Sequence, residues 1–201
     1  LRCVYHQMFK SAQNLVTAIM PEVVGVMSDA FRGTGLKNCH FPKLQTVDYS
    51  GFQNCQIAEL TAESFPTLRS INRNGFSNCP ITKISLPNLT QISGKCFSDC
   101  GYLRSFSAPQ LKNMEEGCFF GCWRLSSIDC ALGPDKFVCM GCRDCPTCAQ
   151  KLQECFLKGR VDMGLRYHGT HEGALKIRIF FGARFRVWHV QTQQTGINLL
   201  N

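Results

Sequence analysis

The sequence has no apolar run near the roughly 18 residues that a membrane-crossing helix requires, so no spanning helix or membrane anchor is expected in this chain. Charge is scarce. Charged residues make up 18% and apolar residues 44%, which is too apolar for a disordered chain and leaves room for one core. An initiating methionine is also missing. The chain starts at Leu1 and reads as a fragment or a processed product, so the lack of a signal peptide says nothing about secretion. A length of 201 residues suggests one extended domain with an appendage.

What is present is unevenly placed. The formal charge is +8: residues 1–132 hold 12 Lys/Arg against 9 Asp/Glu, whereas residues 151–201 hold 8 against 3. Four of the 14 cysteines fall between Cys139 and Cys148. Composition thus divides the chain into residues 1–132, a cysteine-rich segment over 133–158 and a basic tail over 159–201.

An internal repeat organises the first part. Pro21, Pro42, Pro66, Pro87 and Pro109 recur at spacings of 21, 24, 21 and 22 residues. Aligned on them, Val23, Leu44, Leu68, Leu89 and Leu111 form one column, and Val26, Val47, Ile71, Ile92 and Met114 a second. Phe31, Phe52, Phe76, Phe97 and Phe119 form a third, and Thr34, Cys55, Cys79, Cys100 and Cys122 follow three residues later. Leu1, Val4 and Phe9 begin the same template. An apolar-x-x-apolar-x-apolar strip follows each copy: Leu36, Cys39, Phe41; Ile57, Leu60, Ala62; Ile81, Ile84, Leu86; Leu103, Phe106, Ala108; Leu125, Ile128, Cys130. Leu15, Ala18 and Met20 make a weaker first strip. A fixed period of this length marks a solenoid whose units stack to share one core.

The unit Ile81-Thr-Lys-Ile84-Ser-Leu86-Pro87-Asn-Leu89-Thr-Gln-Ile92-Ser-Gly-Lys-Cys96-Phe97-Ser-Asp-Cys100 resembles the BspA-like leucine-rich repeat. The resemblance covers about residues 1–132, with six units of 21–24 residues. It implies a leucine-rich-repeat solenoid, mostly β, with short parallel strands stacked in a curved right-handed coil and little helix. It also implies a surface or secreted protein that works in adhesion and protein binding, without catalysis. Two departures stand out. Phe-x-x-Cys replaces the Asn/Cys ladder of ordinary leucine-rich repeats, and the third unit carries extra residues around Glu63–Phe65.

The last two apolar residues of each strip are two apart, so they share a strand face and the residues between them face outward. The resulting lane reads Thr17 and Ile19, Asn38 and His40, Glu59 and Thr61, Lys83 and Ser85, Ser105 and Ser107, Ser127 and Asp129. Solenoids bind partners along such concave surfaces. From Asn38 to Asp129 these are the candidate residues for a protein or glycan ligand. The lane has no paired carboxylates and no nucleophile beside His40, which argues against a catalytic centre. No enzyme is expected, and the lane calls for no cofactor.

The cysteines of the array admit two readings, buried thiols or a disulfide ladder between neighbouring coils. Stacked side chains point in parallel and would strain such bonds, so buried thiols are preferred. Cys96 and Cys118 share a column with Ala30, Gly51 and Gly75, which demands a small residue. The cluster Cys139-x-x-Cys142-x-x-Cys145-x-x-Cys148 is read first as disulfides capping the solenoid in an oxidising compartment. Zinc on Cys139, Cys142, Cys145 and Cys148 is the alternative, and an iron–sulfur cluster comes third. In the tail, 149–158 reads as a short helix. His168 and His171 read as loop residues, and Leu175–Phe181 with Arg184–Val190 as a β-hairpin around Gly182-Ala183. Arg178, Arg184 and Arg186 interleave with Phe181, Phe185 and Trp188, a pattern that binds single strands of nucleic acid. A solvated amphipathic strand is the preferred reading there, and no nucleic-acid partner is expected. Asn88-Leu-Thr90 is an N-glycosylation sequon. The whole is read as a non-enzymatic binding or adhesion module, extracellular or on a cell surface. Its rivals are an intracellular adaptor with a zinc-bound cysteine cluster and a nucleic-acid binder acting through the arginine-rich tail.

Overall fold

The computed structural model describes residues 1–132 throughout and, beyond them, the backbone of four strands between 166 and 200. Residues 1–132 form a parallel β-solenoid of six coils, with no helix among the described residues. Each coil carries two short strands. One set is β1 (Cys3–Val4), β3 (Gly25–Val26), β5 (Thr46–Val47), β7 (Ser70–Ile71), β9 (Gln91–Ile92) and β11 (Asn113–Met114), joined in that order as one parallel six-stranded ribbon. The other set is β2 (Thr17–Ile19), β4 (Asn38–His40), β6 (Glu59–Leu60), β8 (Lys83–Ser85), β10 (Ser105–Ala108) and β12 (Ser127–Cys130). This set is broken. β2 pairs only with β4, and β6, β8, β10 and β12 form a separate sheet.

Two corners link the strands of a coil. At one, each proline opens a tight turn, closed by bonds such as Leu44 N–H to Phe41 C=O at 3.2 Å and Leu89 N–H to Leu86 C=O at 3.2 Å. Proline's fixed φ suits that position and its missing N–H removes no ladder bond. At the other corner the phenylalanine turns inward between two left-handed residues. Asp29, Ser50, Asn74, Lys95 and Gly117 precede the ring by two positions, all with φ between 54° and 70°. Gly33, Asn54, Asn78, Asp99 and Gly121 follow it by two, with φ between 54° and 73°. These columns favour Asn, Asp and Gly because those residues tolerate the left-handed region best.

The phenylalanines form a spine along the coil axis. Phe31, Phe52, Phe76 and Phe97 are fully buried, and each such ring contributes about 1.5–3 kcal/mol. Phe9–Phe31, Phe31–Phe52 and Phe52–Phe76 stack with centroids 5.2, 5.1 and 4.9 Å apart. Phe76–Phe97 and Phe97–Phe119 stand wider, at 6.1 and 5.7 Å. The change coincides with the switch from glycine to cysteine one residue before the ring. A Cβ at Gly51 would lie 2.9 Å from Val47 Cγ1, and one at Gly75 would run into Ile71 Cγ2. Cys96 and Cys118 fill that space instead.

The third coil corrects one column. Ala62 is only half-buried, and Phe65 takes the place expected for it. Met20 N–H bonds to His40 C=O, just before Phe41. Phe41 N–H bonds to Ser64 C=O, just before Phe65, and Leu86 N–H to Ser107 C=O, just before Ala108. Phe65 stacks on Phe41 at 5.8 Å. The extra residues are therefore Ala62, Glu63 and Ser64, looped out after Thr61. A buried aromatic ring outweighs a half-buried methyl group, and that difference sets the register.

In the tail, β13 (Arg166–Gly169), β14 (Ala174–Phe181), β15 (Arg184–Gln193) and β16 (Gly196–Leu200) form an antiparallel sheet in that order. Phe181 of β14 pairs with Arg184 of β15, the two strands expected to form a hairpin. His168 lies on β13. The cluster Cys139–Cys148, the expected helix over 149–158 and His171 lie outside the described residues.

Candidate functional site

The lane is built by alternation on β2, β4, β6, β8, β10 and β12. Ala18, Leu60, Ile84, Phe106 and Ile128 point inward and are buried, while their neighbours point out. Register lines the outward side chains up from coil to coil: Thr17 with Asn38, Ile19 with His40, Glu59 with Lys83, Lys83 with Ser105, Ser85 with Ser107, and Ser107 with Asp129.

Exposure falls along the lane. Asn38, His40, Glu59 and Lys83 are exposed, and Thr61, Ser85, Ser105, Ser107 and Asp129 are half-buried. Ser127 departs from its expected place: it is 7% exposed. Its place in the strand sets its direction but does not make it accessible. Several lane side chains are tied down. Asn38 Nδ2 donates to Thr17 Oγ1 at 3.4 Å, and Ser107 Oγ donates to Asp129 Oδ2 at 3.0 Å. Ile19, at 67% exposure, is an open apolar point at the start of the lane.

The break between β4 and β6 leaves a groove of about 380 Å³ on the lane, lined by Lys37, Asn38, Cys39, Glu59, Thr61, Glu63 and Ser64. Ser64 N–H donates to Thr61 Oγ1 at 3.3 Å, and Phe65 N–H to Thr61 C=O at 2.9 Å, so the loop closes on itself beside the groove. Sequence reading located the extra residues but not the groove. The signal available was the 24-residue spacing from Pro42 to Pro66, with Phe65 and not Ala62 directly before the proline. A larger concavity of about 640 Å³ lies off the lane, between Arg73, Lys95, Met114, Glu115, Glu116 and Phe120. There the Glu115 carboxylate is already engaged by Gly94 N–H at 2.8 Å.

Cys55, Cys79, Cys96, Cys100 and Cys118 are free thiols, and they and Cys122 are buried. The Phe-x-x-Cys column has a defined task. Cys55 Sγ donates to Phe31 C=O at 3.1 Å, Cys79 to Phe52 at 3.2 Å, Cys100 to Phe76 at 3.3 Å and Cys122 to Phe97 at 3.2 Å. Each thiol bonds to a carbonyl of the preceding coil. Burial pushes the Cys55 thiol up to about 11 and Cys100 up to about 12. It also raises Cys79 and Cys96 well above the ordinary thiol value. Beside the groove, burial pushes half-exposed Cys39 up to about 12. None of these is primed as a nucleophile at neutral pH.

Asp48, at the first ribbon, accepts bonds from Asn72 Nδ2 at 3.0 Å, Tyr49 N–H at 2.8 Å and Ser28 Oγ at 3.0 Å. The Asn72 amide, then the Tyr49 and Ser28 donors, hold its carboxyl below the usual range against the opposing effect of burial. Asn88 of the sequon is exposed on the Pro87 turn, with Nδ2 donating to Pro66 C=O at 2.7 Å.

No curated protein and no solved structure matches this chain. A family model does: the BspA type leucine rich repeat region, in six copies over residues 2–69 and 25–137. The match spans more than half of the chain, and its repeats are the coils described above. Leucine-rich-repeat arrays of this kind suit protein binding. The chain belongs to the BspA-type leucine-rich-repeat family.

Proposed function

We propose that this chain is a non-enzymatic protein-binding or adhesion module of a secreted or surface protein, and that the lane from Asn38 to Asp129 is its contact face. One observation carries the reading. From β6 to β12 outward side chains align in register above the buried Leu60, Ile84, Phe106 and Ile128, so a polar surface rides on a close-packed support. Its hydroxyls, amide, imidazole and mixed charges suit the polar contacts of a protein or a glycan. The family supports the surface setting, since BspA-type proteins are typically surface-borne or secreted. No helix among the described residues is long and apolar enough to cross a membrane.

The test is adhesion of cells to wells coated with the full chain, comparing wild type with Ser85→Arg/Ser107→Arg. The reading expects adhesion to wild type and at least a tenfold loss in the variant at unchanged melting temperature. Equal adhesion to both would remove the lane as the contact face. For the Cys139–Cys148 cluster we keep disulfides over zinc. All 14 thiols titrating after denaturation of protein made without reductant would contradict that.

A further inference from the structure

The break in the lane is local. Along the lane one backbone bond repeats from coil to coil: Lys37 N–H to Val16 C=O, Thr82 N–H to Ala58 C=O, Arg104 N–H to Thr82 C=O and Ser126 N–H to Arg104 C=O. Among the described residues the step from Ala58 to Lys37 is missing from this series. The same two coils stay joined elsewhere. β3 pairs with β5 in full register, and Phe31 stacks on Phe52 at 5.1 Å. The coils have therefore not slid apart, and only the lane edge has opened. The cause is the loop Ala62–Ser64: the regular bond from Phe41 N–H to Ser64 C=O survives at 2.9 Å, but three extra residues now separate it from β6.

Two unpaired strand edges, of β4 and β6, thus face one groove. Free N–H and C=O groups on a strand edge invite another strand. At about 380 Å³ the groove sits near the lower end of the roughly 300–1,000 Å³ of ligand sites, with room for a few residues and not for a domain. Its third-coil wall is acidic. Glu59 and Glu63 both line it, and neither joins an ion pair among the described residues. Lys83 is beside Glu59 in register without closing a salt bridge.

We propose that this slot receives a short extended peptide of a partner protein, whose backbone pairs with the β4 and β6 edges and whose Lys or Arg side chain meets Glu59 and Glu63. The proposal rests on the lane being the contact face and specifies what enters it. The loop is then a device for opening a regular ribbon at one chosen step. Deleting Ala62, Glu63 and Ser64 leaves Leu60-Thr61-Phe65-Pro66, which matches Ile84-Ser85-Leu86-Pro87 of the next coil. That deletion should close the ribbon and keep the core.

The probes are Ser/Thr-rich nonapeptides with Lys, Arg, Glu or Ala at their centre, added to the isotope-labelled full chain. The Lys and Arg peptides should shift the amides of Asn38–His40 and Ala58–Thr61. The Glu and Ala peptides should bind at least fivefold more weakly. Glu59→Gln/Glu63→Gln should weaken the Lys peptide about fivefold, and the deletion should abolish its binding. If the deletion variant fails to fold, the double Gln variant, which touches no core residue, still decides. Equal binding of all four peptides overturns the proposal. So do shifts confined to Lys83–Ser85 and Ser105–Ser107, or no shift with any peptide. Adhesion lost in Ser85→Arg/Ser107→Arg while the peptides fail would leave the lane standing and remove the slot alone.

Discussion

The two ribbons of this solenoid share one period and respond differently to the same three extra residues. The β1–β3–β5–β7–β9–β11 ribbon runs unbroken past the third coil, whereas the lane ribbon splits there. The loop enters after β6, at the lane's end of the coil, so strain is released where it arises. Downstream, Phe65 re-enters the core column, and by Leu68 the template has recovered. Core continuity is thus held by side chains that stack between coils, and the lane ladder is expendable. A binding face can vary because the spine beneath it does not.

The sharpest way to break that comparison is to attack the spine. Phe97→Ala should cost about 3–5 kcal/mol and melt neighbouring coils together, because each coil is stable only against its neighbours. Lys83→Ala on the lane should change stability by less than about 0.5 kcal/mol. Denaturant melts rank the two, and the opposite order would mean that inward and outward faces are exchanged.

Phe65→Ala should cost about 3 kcal/mol, and Ala62→Gly, in a half-buried loop, less than about 1 kcal/mol. Similar costs at both positions would contradict the corrected register.

Alkali tests the thiol column. Folded Cys55, Cys79, Cys96 and Cys100 keep their protons well above the unfolded value near 8.5, because burial disfavours the thiolate. Above about pH 8.5 the unfolded chain ionises and the folded chain does not. Stability should therefore be full below that pH and fall as pH rises towards 11–12, by up to about 1.4 kcal/mol per pH unit for each thiol. Urea melts between pH 7 and 10 would measure it, and a flat profile would mean that these thiols are not buried. Asp48 runs the other way: its contribution is present above about pH 4 and is lost as pH falls through its depressed folded value.

The smallest effect is a gain. Ser50 is fully buried with φ 54°, and its hydroxyl has no hydrogen-bond partner. Ser50→Gly, copying Gly117, should stabilise by about 0.5–1 kcal/mol, the relief of strain and desolvation exceeding the entropy cost of glycine. A lower melting temperature would contradict this.

Much of the core was legible because its columns are single residue types at a fixed period. Phe31 to Phe119, the prolines and the lane alternation could be read directly. The first ribbon was not. Its strands span two residues with one inward apolar side chain each, too short for any alternation to register. The groove escaped for a related reason. Ala62 is apolar and two residues after Leu60, so pattern alone accepted it, and only the volume of Phe65 overrules it. The left-handed columns were visible as Asp29, Asn74 and Gly117 around each ring, but their meaning needs backbone geometry. Ser127 shows that strand alternation predicts direction and not exposure.

Amide hydrogen exchange on the full chain tests the contrast between the ribbons most directly. Asp48, Asn72 and Ser93, which donate to Val26, Val47 and Ile71 across the first ribbon, should exchange slowly. So should Thr82 and Arg104 on the lane, while Ala58, at the open step, exchanges orders of magnitude faster. Protection of Ala58 equal to that of Thr82 would mean that the lane is continuous and that no slot exists.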